Sequence, residues 1–148
     1  MSKTVKVLLI IGVVLLLGAI AVVGLGVYAW KKYGTGLVES GKQSYEEGRT
    51  YGARTDNEGC LTESISRHKT SHGFGDLIRT NVFLNSCLVA SRPTPGFCDG
   101  VPKRTEFIKS AQWQASQCSK YGLSNENQCG QLFAQVQQYC DLPRAEGK

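Results

Sequence analysis

The residues of this sequence best suited to chemistry are two histidines four apart, His68 and His72, with Glu63 and Asp76 close by. Histidines at i and i+4 share one face of a helix, and with a carboxylate they could hold zinc and activate a water, as a small metal-dependent hydrolase does. The local pattern argues the other way. Lys69, Thr70 and Ser71 separate the pair, so the H-E-x-x-H arrangement is absent, and Ser71 and Gly73 signal the end of a helix. His68 repeats at helical spacing with Leu61 and Ile65, which reads as a half-buried packing histidine. There is no glycine-rich phosphate loop and no G-x-S-x-G. The expectation is therefore no catalytic residue and no cofactor, with His68 and His72 as the metal candidates to test.

The six cysteines are the second chemical resource: Cys60, Cys87, Cys98, Cys118, Cys129 and Cys140. No C-x-x-C occurs, so the usual zinc and haem spacings are missing. An even number of cysteines, all in the later part of the chain, reads as a set of disulfides made in an oxidising compartment. Once all six are paired, no thiol is left as a nucleophile.

What delivers them there is the uncharged run from Val7 to Trp30, rich in Leu, Val, Ile, Gly and Ala. As a helix it is roughly 36 Å long against a hydrocarbon core of about 30 Å. It has no polar face before Lys31. Tyr28 and Trp30 suit the headgroup layer, with Lys31 and Lys32 in water beyond it. A cleaved signal is the rival, since Val27-Tyr28-Ala29 offers a small-residue cleavage site; its apolar region would far exceed the roughly 7–15 residues usual for a signal. No two small residues in the run stand four apart, so close helix pairing is not indicated there. Lysines and arginines flank both ends without clear bias, and cysteine chemistry decides the orientation. The N-terminus is expected in the cytoplasm and the rest outside, in the periplasm if the cell is bacterial.

The formal charge of +5 hints at nucleic acid, yet Lys3, Lys6, Lys31 and Lys32 supply four of the 17 basic residues. From Tyr33 onward 13 basic residues face 12 acidic ones, and no basic cluster is interleaved with aromatics. Nucleic-acid binding is disfavoured.

The organisation expected is a cytoplasmic tail (1–6), a transmembrane anchor (7–30), a juxtamembrane tether (31–59), a disulfide-stapled helical domain (60–143) and a C-terminal tail (144–148). Gly34, Gly36, Gly41, Gly48, Gly52 and Gly59 favour a solvated tether over an ordered element, the alternative being a short helix from Ser40 to Thr50 lying near the membrane. The fold class is all-α, with about four helices after the anchor. The first runs from Cys60 to about Lys69. The second, Gly75 to about Ala90, is apolar nearly all round and belongs inside. The third is expected to open with Pro102 in its first turn and to run to about Tyr121, where Gly122 ends it. Its apolar stripe is Phe107, Ile108, Ala111, Ala115, Cys118 and Tyr121, leaving Trp113 as a candidate contact surface. The fourth follows Ser124 and closes at Pro143. Cys129, Leu132, Phe133, Val136, Tyr139 and Cys140 form its apolar side, and Gln128, Gln131, Gln135, Gln137 and Gln138 the other.

Six cysteines allow 15 pairings. Antiparallel neighbours select one set. Cys118 at the end of the third helix meets Cys129 at the start of the fourth; Cys140, three turns on, returns to the level of Cys98; Cys60 opens the first helix where its neighbour nears its end at Cys87. The expected bridges are Cys60–Cys87, Cys98–Cys140 and Cys118–Cys129.

The function expected is a non-enzymatic, membrane-anchored extracytoplasmic binding or assembly module, an accessory subunit whose partners are the bilayer, through residues 7–30, and a protein in or near the membrane. The alternatives are the His68/His72 hydrolase and a secreted inhibitor or toxin-like domain released by cleavage after Ala29.

Overall fold

The computed structural model describes residues 3–71, 73–123 and 126–143. Among them the fold is all-helical: α1 (Lys3–Ala29), a π-helical turn (Trp30–Gly34), α2 (Thr35–Gly52), α3 (Asn57–Lys69), α4 (Phe74–Ala90), α5 (Phe107–Lys120) and α6 (Glu126–Cys140). The chain divides into two compact units, Met1–Glu39 and Ser40–Lys148.

In the first unit Ile11–Lys32 is long and apolar enough to cross a membrane, and none of it is buried against protein. Its leucines, isoleucines and valines point outward all round, the pattern of a helix whose solvent is lipid or whose partner lies elsewhere.

The second unit is a bundle built round α4. Leu77, Phe83, Leu84, Cys87 and Leu88 are buried on it, as expected for a helix with apolar residues on nearly every side. Helix α3 lies against it through Leu61 and Ile65, and α6 through Leu132, Phe133 and Val136. Asp56, in extended conformation, caps α3 by accepting from the Gly59 N–H at 2.9 Å. Gly122, at φ +64°, terminates α5 as the sequence predicts.

Contacts fix the helix directions. Cys60 joins Cys87, so α3 runs antiparallel to α4. Asn85 donates to Gln135, and Asn57 reaches both Ser91 and Tyr139, so α6 runs parallel to α4. Cys118–Cys129 and the Ser110–Gln137 hydrogen bond make α5 antiparallel to α6. One end of the bundle therefore gathers Ser40, the start of α4 and the end of α5. The other gathers the ends of α4 and α6 and the start of α5.

Four expectations need correction. The stretch 31–59 is not a tether. Helix α2 occupies Thr35–Gly52, and the compact unit begins at Ser40, not at Cys60. Two of its glycines pack: Gly48 lies against Ser86 Oγ, the Phe83 carbonyl and Cys87 N, and Gly52 against the Cys87 carbonyl and Ala90, leaving no room for a Cβ. Ser40, Ser44, Gly48 and Gly52 recur every four residues and form one small-residue face on which two backbones come close. The Tyr51 ring completes the seam 5.8 Å from Phe83.

The third helix of the domain starts at Phe107, not at Pro102, because the Pro102 carbonyl accepts from the buried Gln137 amide and Lys103–Glu106 closes a turn. Its apolar stripe is also not the core face. Phe107 and Ile108 are 82% and 76% exposed, and Ala111 and Ala115 lie in the open with them. The face turned inward is Ser110, Trp113, Gln114, Gln117 and Cys118, an equally regular helical stripe that hydrogen bonds and a disulfide hold.

Gln137 is likewise not on an outer polar side. It is 1% exposed, accepts from Gln114 at 2.6 Å and donates to Ser110 and the Pro102 carbonyl. A buried amide with each of its atoms satisfied is a clamp between helices.

Candidate functional site

All six cysteines are paired, with the expected connectivity: Cys60–Cys87, Cys98–Cys140 and Cys118–Cys129, at Cα separations of 5.7, 5.6 and 5.9 Å. The first ties α3 to α4, the second fastens the proline-rich loop to the end of α6, and the third closes the α5–α6 hairpin. None offers a thiolate for catalysis or metal binding.

The histidine site divides. His68 sits on the inner face of α3, 8% exposed, with Nδ1 buried and without a hydrogen-bond partner. Burial lowers its pKa below the ordinary histidine value, which keeps the ring neutral in the packed interior. His72 lies outside the described residues, and with it the proposed pairing. The carboxylates meant to assist are engaged with arginines. Glu63 holds Arg67 at 2.9 Å, and Asp76 lies 3.5 Å from Arg79. No group of three His, Cys, Asp or Glu side chains suited to a metal occurs among the described residues.

A polar cavity of about 310 Å³ opens near this point, between α2, the end of α3 and the start of α4. Arg67, Arg79, Glu47 and Asp76 line it with serine and threonine hydroxyls. Arg67 bridges helices here, pairing with Glu47 at 3.1 Å and lying with its guanidinium carbon 3.8 Å from the Phe83 ring centroid. Two cations face two anions, and water can satisfy the remainder. Among the described residues this wall shows no nucleophile paired with an adjacent base.

Trp113, the candidate contact residue, packs partly inward. It is half-buried, its ring edge-on to Phe133 at 5.8 Å, while Tyr121 stacks on Phe133 at the same centroid distance. The signal was in the sequence: Ser110, Trp113, Gln114, Gln117 and Cys118 recur at helical spacing, but polar side chains mask the stripe to a hydropathy reading. What sequence reasoning missed on the outside is the opposite flank of α5, where Phe107 and Ile108 stand exposed.

At the end of the apolar helix Tyr28 and Trp30 are 62% and 70% exposed, and the Lys32 ammonium lies 5.8 Å from the Tyr28 ring centroid. Lys31 is exposed beside them. Amphipathic rings followed by lysines are the composition of a membrane–water boundary.

No protein-family model matches the chain, and no curated protein or solved structure does so either.

Proposed function

We propose that this chain is a non-enzymatic, single-pass membrane protein whose disulfide-braced helical domain stands outside the cytoplasm and binds a protein partner in or near the membrane, as an accessory or assembly subunit. The observation that carries the reading is the order of its parts. A lipid-length apolar helix comes first, and every cysteine behind it is engaged in a bridge. Bridges of that kind form and persist in oxidising compartments, so the helix is read as an anchor with its N-terminal end in the cytoplasm. In a bacterial cell the domain then occupies the periplasm.

The binding role rests on what the domain offers. Its interior is locked by three bridges and by the Gln137 and Asn57 clamps. A rigid surface is what such a domain can present.

Mild crosslinking in native membranes, followed by detergent extraction and purification, tests the reading. A discrete heteromeric adduct is expected; a chain that runs alone after crosslinking would contradict it. The intact mass of the purified chain should include Met1, and a mass beginning after Ala29 would make the domain a secreted one.

A further inference from the structure

We infer that the exposed flank of α5, with Phe107 and Ile108 as its anchors, is the partner-docking surface, and that its occupant is an acidic amphipathic helix of another protein. This rests on the reading of the chain as an anchored binding module and names the face that binds. Phe107 and Ile108 are adjacent, on the first turn of α5, and more exposed than any other large apolar residue of the bundle. Ala111 and Ala115 continue the same flank one and two turns on, also exposed. Large side chains at one end and small ones along the rest make a shallow seat into which a helix can pack closely, with the Phe and Ile as knobs. No charged residue interrupts the flank.

Charge selects the occupant. The bundle unit is close to neutral, but the segment from Val101 to Lys120 carries Lys103, Arg104, Lys109 and Lys120 against Glu106, and the turn before α5 meets one further carboxylate, Asp141, which accepts from the Arg104 N–H. Glu106 is itself taken by Lys109 at 2.6 Å. Lys103 and Arg104 are exposed on the turn before the apolar pair, separated from it by Thr105 and Glu106. Apolar anchors rimmed by cations complement a partner with an apolar stripe and acidic edges.

An anionic bilayer has the same complementarity, and the topology of the bundle disfavours it. The chain enters the bundle at Ser40, which lines the cavity with Asp76, Arg79 and Thr80 at the start of α4. The start of α5 lies at the opposite end, where the Arg104 N–H donates to Asp141 and Gln137 holds the Pro102 carbonyl beyond the end of α4. Within the bundle the chain therefore begins at the end opposite Phe107.

The test uses the full chain in phosphatidylcholine nanodiscs and two fluorescent probe peptides, helices with leucine along one face and either glutamate or lysine along the other. The glutamate peptide should bind and the lysine peptide should not. Phe107→Ser with Ile108→Ser should weaken binding by about tenfold or more, the scale of removing an interface anchor. Lys103→Glu with Arg104→Glu, on an exposed turn, should do the same without touching the apolar pair, and unchanged mobility on non-reducing gels reports an intact fold. Equal binding of the two peptides, or binding indifferent to both sets of substitutions, would overturn the inference. So would a lipid adduct when benzoylphenylalanine replaces Phe107 and is photolysed in discs of phosphatidylglycerol, since the face would then belong to the membrane. A chain that never enters the discs contradicts the anchored reading; one that enters and ignores the peptides contradicts the α5 face alone.

Discussion

His68 is the residue where a chemical and a structural reading part. Its ring is buried, and burial lowers its pKa, so the folded state favours the neutral form. As pH falls below the ordinary histidine value of about 6.5, the unfolded chain takes up the proton first. Stability therefore rises with pH between the lowered folded value and the ordinary one, is complete above that window and is lost below it. His68→Gln should remove this part of the pH dependence. Urea midpoints measured from pH 5 to 7 would show the wild type steeper than the variant; parallel curves would mean that the imidazole is not desolvated. Gln137 makes the same point for an amide. Replacing it by Leu leaves the Pro102 carbonyl and Ser110 without their donor, at a cost of about 1–3 kcal/mol by denaturant unfolding; an unchanged midpoint would deny the clamp. The burial of His68 is legible in its helical spacing with Leu61 and Ile65; that of Gln137 is not, because a glutamine among glutamines resembles a solvated face until its partners are in place.

At the scale of the helix, α4 and the disulfides were legible, whereas α2 and the rotation of α5 were not. Helix α4 announced itself because apolar residues all round leave one solution, the interior. The pairing of cysteines followed from antiparallel neighbours of known length. Helix α2 was hidden because glycine has a double meaning. In isolation it costs about 1 kcal/mol per residue relative to alanine in a helix, yet at four-residue spacing it lets backbones touch. Two substitutions separate these meanings. Gly48→Ala puts a methyl group into Ser86 Oγ and the Phe83 carbonyl, backbone that cannot move aside, and should destabilise by about 1–3 kcal/mol. Gly41→Ala meets nothing within 4 Å and should stabilise by up to about 1 kcal/mol. Thermal melts of the two would move in opposite directions; a shared direction would mean that α2 is not packed on α4. Helix α5 is opaque to hydropathy because its apolar residues face outward, while a disulfide, an indole and three polar side chains hold the other side inward.

For the molecule as a whole, the bridges carry a share of stability comparable with the total. In the chain-entropy picture the Cys98–Cys140 bridge, spanning 42 residues, contributes about 4 kcal/mol, and Cys118–Cys129, spanning 11, about 3 kcal/mol. A domain of this size is stable by only about 5–15 kcal/mol. Replacing the Cys98–Cys140 pair by serines should therefore lower the urea midpoint more than replacing the Cys118–Cys129 pair, and the reverse order would place the strength of the fold elsewhere. Such a domain is fit for a compartment that keeps thiols oxidised, and the apolar first helix is what would bring it there. Alkylation of the chain in freshly lysed, unreduced cells, followed by unfolding and intact mass, measures this directly. No adduct is expected before reduction and six after it; six adducts before reduction would contradict the bridges, the topology and the scaffold role together.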